Sequence, residues 1–254
     1  MKKKRWVVKL GTGILTDASQ HHDIPQMKNL VGQVAALVNK GRHEIILVSS
    51  SAVCGGMAVL GMKKRPTALP EIQACAAIGQ SRLMTRYEDL FSKHGLHVAQ
   101  VLLTYPDIDS RTRFRNAQNT LNRLLDHNIV PVINENDTVS VDEIRFGDND
   151  KLSAYVATMV RADLLVILSG IDGLLTSLDK DGEVIPEVRK ITPALRKLAG
   201  GTRSETSVGG MISKIDAAQI AVDHRIPVRI ANGRTPRILQ QIAEGKRVGT
   251  LFKA

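Results

Sequence analysis

The stretch DLLVILSG, residues 163–170, decides the fold. Five aliphatic residues, Leu164-Leu165-Val166-Ile167-Leu168, follow one another without a polar break and stop at Ser169-Gly170. A strand with one face in water alternates apolar and polar residues; a strand covered on both faces does not need to. The same dense apolar character recurs in RWVVKL (5–10), EIILVS (44–49), HVAQVLLT (97–104), IVPVIN (129–134), VRIA (228–231) and VGTLF (248–252). Helical patterns separate these runs, at 24–40, 69–94, 111–127, 149–161, 210–224 and 235–244, with a short glycine-rich helix at 51–61. Asp23 suits the N-cap of the first long helix, Pro25 its first turn and Gly41 its end. EIRF (143–146) reads as a short extended piece, and Asp181-Gly182 as a hairpin turn. Buried strands alternating with helices predict an α/β fold, a three-layer αβα sandwich around a central, mainly parallel open sheet. No linker, repeat or low-complexity tract interrupts residues 1–254, so one domain is expected.

Composition narrows the function classes. Aromatic residues are 3% of the 254, so the core has to be aliphatic. No apolar run approaches the ~20 residues of a membrane span. The start, MKKKRWVVKLGTG, imitates a signal peptide, but Lys9 breaks its apolar run after a few residues; a cytoplasmic protein is expected. Cys54 and Cys75 lack metal-like spacing and read as buried, reduced thiols. The net charge of +10 attracts anions. Apart from Lys2–Arg5 and Lys63–Arg65 the basic residues are dispersed, without aromatic interleaving, which argues against nucleic acid and for a solvated surface that also draws anionic small molecules. The His21-His22 pair reads as solvated loop.

In open α/β sheets ligands bind beyond the carboxyl ends of the strands, and that is where this chain places its chemistry. Lys9 leads into Gly11-Thr12-Gly13, a turn that could cradle phosphate, although neither a P-loop nor a complete dinucleotide fingerprint is present. A lysine near the end of a buried strand is costly unless its ammonium reaches an anion or the surface. Ser49-Ser50-Ser51 ends the second strand, and Ser169-Gly170 ends DLLVILS. Gly209-Gly210-Met211 reads as a helix N-terminus offering amides to phosphate, with Lys214 one turn in. Two knots of acids and amides complete the edge, Asn134-Glu135-Asn136-Asp137 and Asp148-Asn149-Asp150. Asp148 and Asn149 also stand where a helix N-cap belongs. Positive clusters beside an acidic one point to phosphoryl transfer governed by positioning and electrostatics.

The residues VVKLGTGIL, AAIGQSRL (76–83), FRNAQNTL (114–121), NIVPVINENDTV (128–139), FGDNDKLSA (146–154), GGMISK (209–214) and VGTLF together resemble the glutamate 5-kinases of the amino acid kinase superfamily, over the whole chain. The resemblance implies transfer of the γ-phosphate of ATP, carried with Mg²⁺, to the side-chain carboxylate of L-glutamate, the first step toward proline. It implies that Lys9 and Lys214 stabilise the transferring group and that Asp150 orients them. It places glutamate on Ser50, Asp137 and Asn149, with Asn134 and Asp148 close by. It places the nucleotide on Lys9, Gly11, Thr12, Gly13, Ser169, Gly170, Gly209, Gly210, Met211 and Lys214, with no metal held directly by the protein. It further implies a homodimer or homotetramer and proline as a feedback inhibitor. The family commonly has glycine where Ser51 stands, Thr-Asp where Ser169-Gly170 stands, and Gly-Thr where Ser207-Val208 stands. Many members carry a C-terminal PUA module; the sequence ends at Lys253-Ala254, so that module is expected to be absent. A sister kinase acting on N-acetylglutamate or aspartate, and a basic anion or nucleic-acid binder with a decayed site, remain alternatives at this stage.

Overall fold

A computed structural model describes residues 3–17, 19, 21–139, 149–177, 182–199 and 210–254. Eight strands form one sheet: β1 (Lys4–Leu10), β2 (His43–Ser49), β3 (Val98–Leu103), β4 (Val130–Glu135), β5 (Leu164–Ser169), β6 (Glu187–Val188), β7 (Val228–Asn232) and β8 (Thr250–Phe252). Their order is β3-β4-β2-β1-β5-β7-β8-β6. Pairing is parallel from β3 through β7; β8 runs antiparallel to β7 and parallel to β6. β1 therefore lies between β2 and β5, with Lys9 level with Val48 on one side and Ile167 on the other.

The two-residue period of each strand sorts its side chains between two cores. Val7, Ile46, Val48, Ile133, Leu165 and Ile167 pack against α6 (Arg111–Asp126), α7 (Asn149–Val160) and α9 (Met211–Asp223). Trp6, Val8, Leu10, Ile45, Leu47, Val132 and Val166 pack against α2 (Ile24–Asn39), α4 (Leu69–Ser92) and α10 (Ile238–Ala243). Both faces are covered, which is why DLLVILS needs no polar alternation: Leu165 and Ile167 enter one core while Val166 and Leu168 enter the other. The same parity directs the polar residues at the strand ends. Lys9 follows Val7 onto the α7/α9 face; Ser49 and Asn134 follow Leu47 and Val132 onto the α4 face.

A third, smaller core joins α3 (Ala52–Val59) to α4 through Val53, Met57, Cys75 and Ala76. The two helices cross backbone to backbone. A Cβ on Gly56 would lie 1.9 Å from the Cys75 carbonyl oxygen, and one on Gly79 would lie 1.7 Å from that of Ala52. Both cysteines are free and buried, as expected.

The sequence-derived elements hold, with ends displaced by a few residues. Asp23 caps α2 through its side chain, accepting from the Gln26 amide at 3.0 Å. The helix expected from 235 starts only at Ile238, after Arg237 in a left-handed conformation (φ 53°). Four short elements were not foreseen: α1 (Thr12–Leu15), α5 (Tyr105–Asp109), α8 (Pro193–Ala199) and β6. The extended piece at 143–146 and Asp181 of the expected turn lie outside the described residues; the flanks of that turn do pair, through an antiparallel bridge between Leu175 and Val184. Among the described residues, no helix is long and apolar enough to cross a membrane.

Candidate active site

Three charged side chains meet on the α7/α9 face at the carboxyl edge of β1. Lys9 arrives there by parity and stops one residue short of the strand end. Asp150 lies in the first turn of α7, where the helix field favours a carboxylate, and is fully buried. Lys214 projects from the first turn of α9, which packs beside α7. The Lys9 Nζ stands 2.5 Å from Asp150 Oδ1 and the Lys214 Nζ donates to Oδ2 at 2.9 Å. The Ser213 hydroxyl also donates to Oδ2, at 2.9 Å. Lys9 is 3% exposed and Lys214 5%, so the ammonium groups do not snorkel into solvent.

Burial pushes the Asp150 carboxyl up, but the charges of Lys9 and Lys214 and their hydrogen bonds outweigh it and hold the group well below the usual carboxylate range. Two cations against one anion leave the triad with a formal charge of +1 in a water-poor place. Such an arrangement attracts a further anion, and it costs about 3–5 kcal/mol when one partner of a buried pair is removed. Both Asp150 oxygens face ammonium groups, which ties the two lysines to one carboxylate. Among the described residues no group of three or more His, Cys, Asp or Glu is arranged to hold a metal ion.

The other face carries a neutral chain of amides. Asn149, the residue before Asp150, points its Nδ2 at the Ser49 carbonyl (2.9 Å), the Ser50 hydroxyl (3.1 Å) and Asn134 Oδ1 (2.8 Å). Asn134 in turn donates to Gln80 Oε1 at 2.8 Å, and Gln80 donates to Gln100 Oε1 at 3.1 Å. The Ser49 hydroxyl sits 2.7 Å from that of Tyr87, whose acidity burial suppresses. The helix-cap role expected for Asn149 is not what the structure shows. Its Oδ1, the atom that would have to accept in a cap, is buried without a partner among the described residues.

Ser50 is buried beside Asn149, and Asp137 is half-buried in the turn after β4. Asp148 and Gly209 lie outside the described residues. Of the positions expected to hold nucleotide, Ser169 ends β5 with a buried hydroxyl that lacks a partner among the described residues, and exposed Gly170 has open space around it. Gly210 is the N-cap of α9 and Met211 its first residue. Gly11 passes close to β5: a Cβ there would sit 3.3 Å from the Leu168 carbonyl and 3.4 Å from the Lys9 Nζ. Thr12 opens α1 and Gly13 is exposed. The described positions among these share one edge of the sheet.

Sequence reasoning missed Ser213, which donates to Asp150, and Gln80, Gln100 and Tyr87, which order Asn134 and Ser49 on the other face. His22 corrects an expectation. His21 is exposed, but His22 is 6% exposed, and its Nε2 lies 2.9 Å from the Ser51 carbonyl oxygen. Burial, with the charges of Arg86 and His21, moves His22 down from its ordinary range despite that contact. Ser51 itself has φ 80° and ψ 10°, left-handed backbone that glycine adopts freely and serine adopts at a cost of about 1–3 kcal/mol.

Residues 4–232 match the amino acid kinase family. The glutamate 5-kinase of Geobacter sulfurreducens is 47% identical over 254 residues, which span 99% of this chain and 68% of that protein. The glutamate 5-kinase of Clostridium tetani is 44% identical over 254 residues, spanning 99% of this chain and 95% of that protein. Among solved structures, the UMP kinase of Bacillus anthracis superposes with a TM-score of 0.62 over 98% of this chain and 96% of that one, at 17% identity, a likeness of fold.

Proposed function

The chain belongs to the amino acid kinase family, and from that membership and its glutamate 5-kinase relatives we infer that it phosphorylates the side-chain carboxylate of L-glutamate at the expense of ATP. The product is L-glutamyl 5-phosphate, which opens proline biosynthesis. The observation that carries the reading is the buried Lys9–Asp150–Lys214 triad at the sheet edge.

The acceptor is already ionised at neutral pH, since a free glutamate side chain titrates near ~4.3. No general base is needed to activate it, which fits a site whose central carboxylate, Asp150, is tied to two lysines. A γ-carboxylate oxygen attacks the γ-phosphorus of ATP. The bond to the β,γ-bridging oxygen breaks, and ADP leaves with that electron pair. Negative charge spread over the transferring group is met by Lys9 and Lys214, held in place by Asp150. Mg²⁺ enters as the counter-ion of the nucleotide substrate.

On the acceptor side, Ser50, Asn134, Asp148 and Asn149 bind glutamate polar groups, and Asp137 pairs with its ammonium. That pairing favours free glutamate over N-acetylglutamate, which lacks the cation. On the donor side, Gly11, Thr12, Gly13, Ser169, Gly170 and the Gly209–Met211 end of α9 hold the nucleotide, with helix amides facing phosphate. Residues 1–254 act as one kinase domain; the match to nearly the whole Clostridium tetani relative supports this. The protein works in the cytoplasm as a homodimer or homotetramer, with proline as its inhibitor.

The test is glutamate-dependent ADP release, with the acyl phosphate trapped as a hydroxamate by hydroxylamine, and with and without proline. Turnover of glutamate well above N-acetylglutamate and aspartate is expected. Equal turnover of the three, or none with glutamate, defeats the reading.

A further inference from the structure

We propose that the Ser51 hydroxyl is a further acceptor-binding group, donating to a carboxylate oxygen of the amino-acid substrate at the N-terminus of α3; this rests on the acceptor side assigned above. Three observations converge on it. Ser51 is 6% exposed, and its Oγ has no hydrogen-bond partner among the described residues. A buried hydroxyl without a partner is unfavourable, and in native proteins it calls for an explanation.

The obvious structural use of a serine here is absent. Ser51 is the N-cap of α3, yet its side chain makes no capping hydrogen bond. Its backbone is instead fixed in the left-handed region, with its carbonyl accepting from the Gly55 amide at 3.0 Å and standing 2.9 Å from His22 Nε2. The Cα–Cβ direction of Ser51 is therefore set by a backbone anchored on two sides.

Position selects the ligand chemistry. Ser51 follows Ser50, whose hydroxyl meets Asn149. It stands beyond β2, which is separated from β5 by β1. The phosphates belong with α9 and the end of β5; Ser51 is on the opposite side of Lys9, with the acceptor. The first-turn amides of α3 have no acceptor within their own helix, and the helix field there favours an anion over the substrate ammonium. A hydroxyl donor beside such a helix end suits a carboxylate.

The experiment compares wild type with Ser51→Ala and Ser51→Gly by steady-state kinetics for each substrate, calorimetric titration with glutamate, and thermal unfolding without ligand. Loss of a hydrogen bond to a charged group raises the glutamate KM and Kd by about tenfold or more, while the ATP KM stays within about twofold and kcat is largely kept. Glycine tolerates the left-handed backbone, so the Tm of Ser51→Gly is expected to equal or exceed that of wild type. Unmoved glutamate affinity in both variants overturns the proposal while the kinase reading stands, as does an equal rise in both KM values. If wild type neither binds nor turns over glutamate, the kinase reading fails and takes the proposal with it.

Discussion

The two faces of the sheet reach the same edge with different chemistry. On the α7/α9 face, the side chains of Lys9, Asp150 and Lys214 meet as full charges, with the Ser213 hydroxyl joined to them. On the α4 face, Gln100, Gln80, Asn134 and Asn149 form a neutral chain in which each amide orders the next. Asn149 and Asp150 are neighbours in sequence, yet each belongs to a different system. The ionic side concentrates potential where, on the proposed reading, charge would move, at the cost of desolvating ions. The amide side has nothing to neutralise; it fixes the strand ends and loops against which an acceptor would be measured. Electrostatic and geometric work are thus divided between the faces and joined at the first turn of one helix.

The comparison breaks most visibly at Asp150. Asp150→Ala leaves two buried ammonium groups facing each other, and urea unfolding is expected to show a loss of about 3–5 kcal/mol, with ADP release all but abolished. A variant as stable as wild type would mean that the ionic face is not held by this carboxylate. Lys214→Ala removes one cation and leaves Asp150 paired with Lys9. It should remain folded by circular dichroism while kcat falls by about 10²–10³-fold. An unchanged kcat would take this lysine out of the reaction. Asp137→Ala sharpens the division from the acceptor side: the glutamate KM should rise by about 10–100-fold and the ATP KM by far less. Equal rises would erase the partition between donor and acceptor. Gln80→Ala leaves the Asn134 amide short of an acceptor and should cost about 1–3 kcal/mol in denaturant unfolding, with a modest rise in the glutamate KM.

The smallest effect concerns pH. The folded-state pKa of Asp150 is depressed, so its contribution to stability is complete above the unfolded carboxylate range near ~3.9 and is lost as pH falls below it. The stability gap between wild type and Asp150→Asn should therefore be flat between about pH 6 and 9 and narrow only in acid, below about pH 4. A gap that changed across neutrality would assign the titration to another group.

Much of this was legible in the sequence because strands buried on both faces announce themselves as unbroken aliphatic runs. Loops after such strands could be searched in turn, and Lys9, the Asp148–Asp150 knot and the Gly209–Lys214 segment stood out that way; that Lys9, Asp150 and Lys214 form one group came from the family resemblance. Strand order was not legible: nothing in RWVVKL says that it lies between EIILVS and DLLVILS. Elements as short as β6 or α5 leave too few residues to show a period. The amide chain was hidden for a different reason. Gln80 lies far from Asn134 in sequence, and a glutamine in a helix usually signals only a polar surface. His22 was misjudged because its burial comes from α3 packing over it, a tertiary contact with no local signature: a Cβ on Gly55 would come within 3.0 Å of the imidazole.

The triad draws on residues 9, 150 and 214, and this has a bearing on synthesis. A chain emerging from the ribosome releases Lys9 early and Asp150 much later, and through β5 it holds one cation and one anion. That pair is neutral overall and has little pull on polyphosphate. Only when α9 is made and docks does the second ammonium tip the centre to +1. Long-range closure of this kind comes late in folding. On the proposed reading, the centre that meets polyphosphate is completed only with α9, after the strands and loops of the acceptor side have been made.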